Sequence, residues 1–256
     1  MPLPTPIRVP SCALFLLLVL SASAQTASNS VFAARAQAAF NRAKADYAGQ
    51  PNETNALRLG RATYYWAEYA TNETQRATVA RAGIAACREW IGRKPQSAGA
   101  HYYLAVDYGE LAQAEAPSLA AYKLVHEIER EFKTAADLDV SHDFAGPARC
   151  LGLLYRDAPG WPLSIGSKHK AREFLDRAVV LAPDYPENQL NVAESAVGWH
   201  QAAEVEKALA KLAQIWPDAQ KHLAGEEWEA IWADWIQRRA AVTAEFQKIF
   251  KRSPEG

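Results

Sequence analysis

The stretch that decides the fold is Ala100-His-Tyr-Tyr-Leu-Ala-Val-Asp-Tyr108, in which a large residue and a small residue are followed by an aromatic one. The same order recurs some fifty residues later, and a helix that carries alanines and ends at a proline follows it. A small residue lets a neighbouring helix approach, and the large residues on the same face fill the groove between them. The pattern therefore predicts repeated pairs of packed helices. The residues of this signature are Leu104, Ala105, Tyr108, Leu151, Gly152, Tyr155, Ala171, Ala178 and Pro183.

Apolar spacing of three and four residues continues along most of the chain, and no stretch alternates apolar and polar residues as a strand would. The breaks carry glycine or proline, as at Gly49-Gln-Pro51, Pro183 and Pro217. Asn72 is followed three residues later by Gln75, which predicts a capped start for the third helix. The predicted helices are 28–48, 53–70, 73–92, 98–114, 118–138, 145–157, 168–182, 187–199, 202–215 and 224–251.

The signature resembles the tetratricopeptide repeat, most clearly over residues 95–217. Within that superfamily the lengthened hairpins around 112–121 and 157–167 resemble the T-component of TRAP-type transporters and the regulator-of-microtubule-dynamics group. The resemblance implies an all-α superhelix of about four helix pairs. It implies a protein-binding or scaffold role, with a peptide segment or partner subunit in the concave groove. The alternative is a soluble accessory of a periplasmic solute transport system that binds a small ligand, with a transporter subunit as its partner.

Residues 1–24 are typical of a secretory signal peptide: one basic residue, an apolar run over 13–20 and a small-residue cleavage site at Ala22-Ser-Ala24. Eight helical residues reach about 12 Å, against about 30 Å of bilayer hydrocarbon, so the run is too short to span a membrane. We therefore expect one helical repeat domain, residues 25–256, that is exported to the periplasm or the extracellular space. No later stretch is apolar enough to be an integral membrane span.

Composition narrows the function classes. The 28 basic and 29 acidic residues give a net charge of −1, which argues against nucleic acid as a partner. The six histidines lie at no metal-ligand spacing, and no nucleophile and base form a recognisable catalytic pattern. We expect no metal, no cofactor and no enzyme activity.

The first helix of each pair lines the concave side in such repeats, so its polar and aromatic residues are candidates for the binding groove. Arg149 and Arg156 share one helix face, and bidentate contacts from arginine would orient a peptide or a small carboxylate. The alternative is that both arginines pair with Asp107, Glu187 or Glu194 between repeats. The groove candidates are Tyr102, Arg149, Arg156, Asp157 and Glu194.

Three further features have two interpretations each. Trp161, between Pro159 and Pro162, either covers the repeat core or lines a ligand entrance. The aromatic helix 224–251 either caps the repeats or forms a homo-oligomer interface. Cys87 and Cys150 are either buried free thiols, which we favour, or a disulfide.

Overall fold

The computed structural model describes residues 22–254, with side chains from residue 30, and this range contains α-helices and no β-strand. The predicted all-α class is confirmed. The helices in this part of the chain are α1 (Ala22–Gly49), α2 (Glu53–Ala67), α3 (Glu73–Arg93), α4 (Ala98–Ala114), α5 (Leu119–Leu138), α6 (His142–Asp157), α7 (Lys168–Leu181), α8 (Pro186–Gly198), α9 (Ala202–His222) and α10 (Glu226–Phe250). Most of the predicted signal peptide lies outside the described residues.

The described chain divides into two compact units. The N-terminal unit comprises residues up to 142 together with the loop 157–165, and the C-terminal unit comprises 143–156 and 166 onward. The chain therefore enters the C-terminal unit at residue 143, returns to the N-terminal unit for residues 157–165, and enters the C-terminal unit again at residue 166. No helix of the described residues has both the length and the apolar character that crossing a bilayer requires.

In the N-terminal unit each helix from α1 to α5 packs against the next, and α2 also packs against α4. The crossing of α2 and α4 depends on Gly60, because a Cβ there would lie 2.7 Å from the Cβ of Tyr103. Two helices approach this closely only when one contributes no side chain at the contact. An apolar core joins α1, α2 and α3: Phe40, Ala43, Tyr47, Ala56, Leu59, Ala62, Ala67, Val79 and Ala86.

In the C-terminal unit α8 packs against α7, α9 and α10. Gly152 of α6 lies against α7, since a Cβ there would be 2.7 Å from Leu175 Cγ. The aromatic face of α10 is buried, with Trp228, Trp235 and Phe246 each 0% exposed. This helix therefore caps the apolar core of its unit.

A side chain caps the third helix as the sequence predicts. Asn72 Oδ1 accepts a hydrogen bond from the backbone N–H of Gln75 at 2.9 Å, and Gln75 Oε1 accepts from the Thr71 N–H at 2.8 Å. The first bond satisfies an amide that the first turn of α3 leaves without a helical acceptor, and the second ties the residue before the cap to that turn. The predicted start of the third helix is confirmed.

The predicted end of the ninth helix at residue 215 is wrong, because α9 continues through Pro217 to His222. Proline removes one helical hydrogen bond but does not forbid continuation when the following residues are held by packing. Ile215, Ala219 and Leu223 are all buried in the core of the C-terminal unit, on both sides of the proline. Tertiary burial therefore overrides the local breaker.

A left-handed turn precedes the right-handed part of α6. Asp143, Phe144 and Ala145 have φ of 52°, 52° and 63°. Non-glycine residues rarely occupy this region, and three in a row require support from the surrounding structure. Pro147 follows within the first right-handed turn, where its missing N–H costs no hydrogen bond.

The two cysteines within the described residues, Cys87 and Cys150, are buried and form no disulfide. The interpretation of buried free thiols is confirmed. Burial, with the charge of Asp107 adding to it, raises the pKa of the Cys87 thiol well above its usual value. The thiol is therefore protonated and unreactive at neutral pH.

Candidate functional site

The predicted groove residue Tyr102 lies inside the N-terminal unit and is 0% exposed. Its ring centroid is 4.9 Å from that of His142 and 5.9 Å from that of Phe132. The residue is therefore part of the aromatic core between α4 and α5, and it has no surface that could contact a partner in this conformation.

Arg149 is also 0% exposed, because its guanidinium reaches back to the left-handed turn at the start of α6. Nη2 lies 2.8 Å from Asp143 Oδ2, and Nη1 donates to the Phe144 carbonyl at 3.1 Å and to Asn188 Oδ1 at 3.2 Å. The guanidinium also stacks over the Tyr185 ring at 5.2 Å. In this conformation the residue supports the turn and contacts no groove.

Glu194 of α8 is held by Arg238 of α10, a residue that the sequence analysis did not single out. Arg238 Nε and Nη2 lie 2.7 and 2.9 Å from the two Glu194 carboxylate oxygens, a bidentate pair. Arg238 Nη1 also lies 3.3 Å from Glu187 and 3.3 Å from Asp234. Burial alone would lower the pKa of Arg238, but the charges of Glu194 and Glu187 raise it above its usual value. Arg238 of α10 therefore offsets the negative charges of Glu187 and Glu194 on α8.

A signal for Arg238 does exist in the sequence. It stands three residues after Trp235 and four before Val242, on the apolar stripe of α10 that faces the core. A charged residue at such a position needs an internal partner of opposite charge. The partner, Glu194, is on another helix and 44 residues away in sequence, so local spacing could not predict the pair.

Arg156 and Asp157 are half-buried at the end of α6. Arg156 Nη1 donates to Ser195 Oγ of α8 at 3.3 Å, within the C-terminal unit. Of the predicted groove residues in that unit, Arg156 and Glu194 lie on neighbouring helices and are partly exposed. Arg149 is fully buried.

Trp161 is 88% exposed, and Leu163 two residues later is 75% exposed. The interpretation that Trp161 covers the repeat core is wrong, because the loop closes on itself. The Leu163 N–H donates to the Gly160 carbonyl at 3.0 Å, a tight turn that turns both side chains outward. The indole remains available to a ligand, as the alternative interpretation requires.

The N-terminal unit buries a carboxyl group without a hydrogen-bond partner. Asp107 is 0% exposed, both of its carboxyl oxygens lack a partner, and so does the nearby Thr63 hydroxyl. Gly83 provides the space, because a Cβ there would lie 2.0 Å from Asp107 Oδ2. Burial raises the pKa of Asp107 well above its usual range, and Glu110 raises it further. The group is packed tightly on all sides, so we assign it no binding role.

Glu110 is buried one turn further along α4. Arg76 Nη1 donates to Glu110 Oε2 at 2.6 Å, and Glu68 adds a second carboxyl group beside it. Burial and the charge of Glu68 raise the pKa of Glu110 to about 8 despite the arginine. The arrangement connects α2, α3 and α4. Within the described residues, no group of three or more His, Cys, Asp or Glu side chains is placed to hold a metal ion.

A cavity of about 700 Å³ opens in the C-terminal unit, and we call it the α7–α9 cavity. Its floor is apolar: the rings of Phe144 and Tyr185 stack at 4.2 Å and 6°, beside buried Ile215. Its lining is Phe144, Leu181, Ala182, Pro183, Asp184, Tyr185, Lys211, Gln214, Ile215, Asp218, Ala219, His222 and Leu223.

The rim of the α7–α9 cavity is charged and exposed. Asp184 and Lys211 form a loose ion pair at 3.7 Å, and the Asp184 side chain is 83% exposed. Asp218 Oδ1 accepts a hydrogen bond from Lys221 Nζ at 2.8 Å, and this bond lowers the pKa of Asp218. An apolar floor beneath a polar rim can bury one bulky side chain and orient its polar neighbours.

Comparison with known proteins identifies the fold and leaves the family open. No protein-family model and no curated protein matches the chain. The crystal structure of a thermophilic TPR protein from Thermus thermophilus is similar, with a TM-score of 0.60 and 16% sequence identity. The similarity covers 85% of this chain and 95% of that one. At this identity the likeness shows that the chain has a tetratricopeptide-like helical fold.

Proposed function

We propose that this chain is a protein-binding or scaffold module that holds a partner segment by one bulky apolar side chain seated in the α7–α9 cavity. The observation that carries the proposal is the apolar floor of stacked Phe144 and Tyr185 beneath an exposed charged rim. Tetratricopeptide-like folds commonly serve as protein-binding surfaces, although a fold alone does not determine a function.

The internal contacts of the predicted groove residues favour the α7–α9 cavity over the concave groove as the binding surface. Tyr102 and Arg149 are fully buried, and Glu194 is held by Arg238 at two points. A peptide on these residues would have to break internal contacts before forming its own. The α7–α9 cavity requires no such exchange, because its apolar floor already faces an opening. Roles for Arg156 and Trp161 in binding stay predictions.

Peptide selection tests the proposal directly. A random peptide library is selected against the folded chain, and the affinities of the enriched peptides are then measured on two variants. Gln214→Trp places an indole on the lining of the cavity, whereas Gln220→Trp adds the same group on α9 outside the lining.

We expect the selected peptides to share one bulky apolar residue and to lose at least about tenfold in affinity on Gln214→Trp, because a buried anchor dominates such contacts. Gln220→Trp should leave the affinities within about twofold, as a change outside the contact does. Peptides that bind both variants and the parent equally would contradict the cavity assignment.

The transporter-accessory function is a second candidate, because about 700 Å³ is also within the size range of small-molecule sites. In that case small amphipathic ligands, rather than peptides, should raise the melting temperature of the parent and fail to raise that of Gln214→Trp. Export by the predicted signal peptide, and the expectation that the chain is not an enzyme, stay predictions.

A further inference from the structure

The outer face of α10 is an exposed strip without charge, bounded by charges of opposite sign. At 100° per residue, positions 226, 229, 233, 236, 237, 240, 243, 244 and 247 of α10 lie within about 60° of the direction of Ala240. The residues between Glu229 and the end of the helix are uncharged: Ala233, Ile236, Gln237, Ala240, Thr243, Ala244 and Gln247. Glu229, with Glu226 one turn before it, lies at the N-terminal end of the strip, and Lys251, the left-handed residue that caps α10, follows its C-terminal end.

The strip is also one wall of a groove. Ile236 is 55% exposed, although large aliphatic residues are usually buried. Together with Trp216 of α9, Arg239 and the small residues of α10, it lines a groove of about 420 Å³, in which the Arg239 guanidinium lies 5.2 Å over the Trp216 ring. Ala240 and Ala244 leave room for another helix to approach closely, and Ile236 supplies a side chain for that helix to cover.

Two copies of the strip that run in opposite directions would have complementary residues opposite each other. Ile236 and Ala244 each lie four residues from Ala240, and Glu229 and Lys251 each lie eleven residues from it. An antiparallel copy centred on Ala240 would therefore place each Ile236 over an Ala244 and each Glu229 near the Lys251 that caps the other helix. A parallel copy would place Glu229 against Glu229, which is unfavourable.

We infer that the outer face of α10 binds a second copy of this chain, antiparallel, with the twofold axis at Ala240. A twofold contact uses the same patch on both copies, and the reversed complementarity of this strip meets that condition. The uncharged stretch from Ala233 to Gln247 is about 21 Å long at 1.5 Å per residue. A contact of this size is small, so we expect a dimer that dissociates on dilution in the micromolar range.

Sedimentation of the full chain over a concentration series tests the contact. Ala240→Glu places two carboxylates on the axis and should yield a monomer throughout. Glu229→Lys should weaken the dimer by about tenfold, since it turns two attractive pairs into repulsive ones. Adding Lys251→Glu to that variant should restore the parent affinity to within about threefold, because the pairs are exchanged and retained. Circular dichroism checks that each variant keeps its helices.

Crosslinking in a Cys12→Ser background tests the orientation, and Cys87 and Cys150 do not interfere because they are buried. A short bismaleimide should link Ala240→Cys to itself. It should link Glu229→Cys to Lys251→Cys when the two proteins are mixed, and should link neither of them alone.

Two results would overturn the inference. One is a monomer at every concentration up to about 500 µM, well above the expected range. The other is a dimer that survives Ala240→Glu or links Glu229→Cys to itself. The α7–α9 cavity and this strip share no residue, so Gln214→Trp should leave dimerisation unchanged and Ala240→Glu should leave peptide affinity unchanged.

Discussion

Replacing Arg149 by methionine tests whether this side chain holds the left-handed turn that begins α6. Methionine keeps most of the apolar stem of arginine but has no donors. The substitution leaves Asp143 buried at 3% exposure without its ion-pair partner, and it leaves the Phe144 carbonyl without a donor from residue 149. The residues with positive φ would then lose the contacts that support them.

The expected cost follows from these contacts. Removing one partner of a buried ion pair costs about 3–5 kcal/mol, much of it from the charge left behind. The turn adds to this, whereas relaxation and protonation of Asp143 subtract from it. We expect Arg149→Met to lower the free energy of unfolding by about 4 kcal/mol. Combined with Asp143→Asn, which removes the stranded charge, the loss should shrink by about 2 kcal/mol.

Urea unfolding followed by tryptophan fluorescence measures this loss, because Trp228 and Trp235 lie in the core of the same unit. Arg177→Met is the matched control: Arg177 is exposed on α7, and its replacement should change stability by no more than about 0.5 kcal/mol. A loss below about 1 kcal/mol for Arg149→Met, or equal losses with and without Asp143→Asn, would refute the assigned role.

Two further predictions concern a buried carboxyl group and a close contact between helices. Asp107→Asn should leave stability little changed near pH 4 and raise it at pH 8, because the pKa of Asp107 is raised in the folded chain, so that its contribution to stability is present below the unfolded-state pKa and is lost as the pH rises. The difference between the unfolding free energies of the variant and the parent should widen by at most about 1.4 kcal/mol per pH unit. A difference that does not depend on pH in denaturation curves would contradict an unpartnered buried acid. Gly152→Ala should destabilise by about 1 kcal/mol, since overpacking against Leu175 outweighs the gain in helix propensity, whereas Gly109→Ala, which meets nothing within 4 Å, should stabilise in the same urea assay.

The helices were predictable because their signals are local. Apolar spacing and caps such as Asn72 act within a few turns, and the predicted and observed helices agree to within a few residues for most of the chain. The end of α9 was not predictable, because Pro217 is a local signal and the burial of Ile215 and Ala219 around it is not. The left-handed turn at Asp143 was missed for the same reason: its support comes from Arg149 and from Asn188 of another helix.

The candidate site was less predictable than the fold. Sequence spacing places Arg149 and Arg156 on one face of a helix, and both lie on α6. It does not reveal that one is enclosed and the other half-buried, because enclosure depends on residues of α8 that follow some forty positions later. The α7–α9 cavity is likewise formed by three separate stretches of chain, and no single stretch contains a motif for it.

The buried polar face of α8 has a consequence for where partners can bind. Glu187, Glu194 and Arg238 satisfy one another with at most 20% exposure of any of their side chains. A ligand that competed for Glu194 would have to leave Arg238 buried and unpaired, at a cost of several kcal/mol. Binding in this unit should therefore favour surfaces that need no exchange of ion pairs. The apolar floor of the α7–α9 cavity and the uncharged residues from Ala233 to Gln247 meet that condition, because each presents apolar surface at an opening or on an outer face.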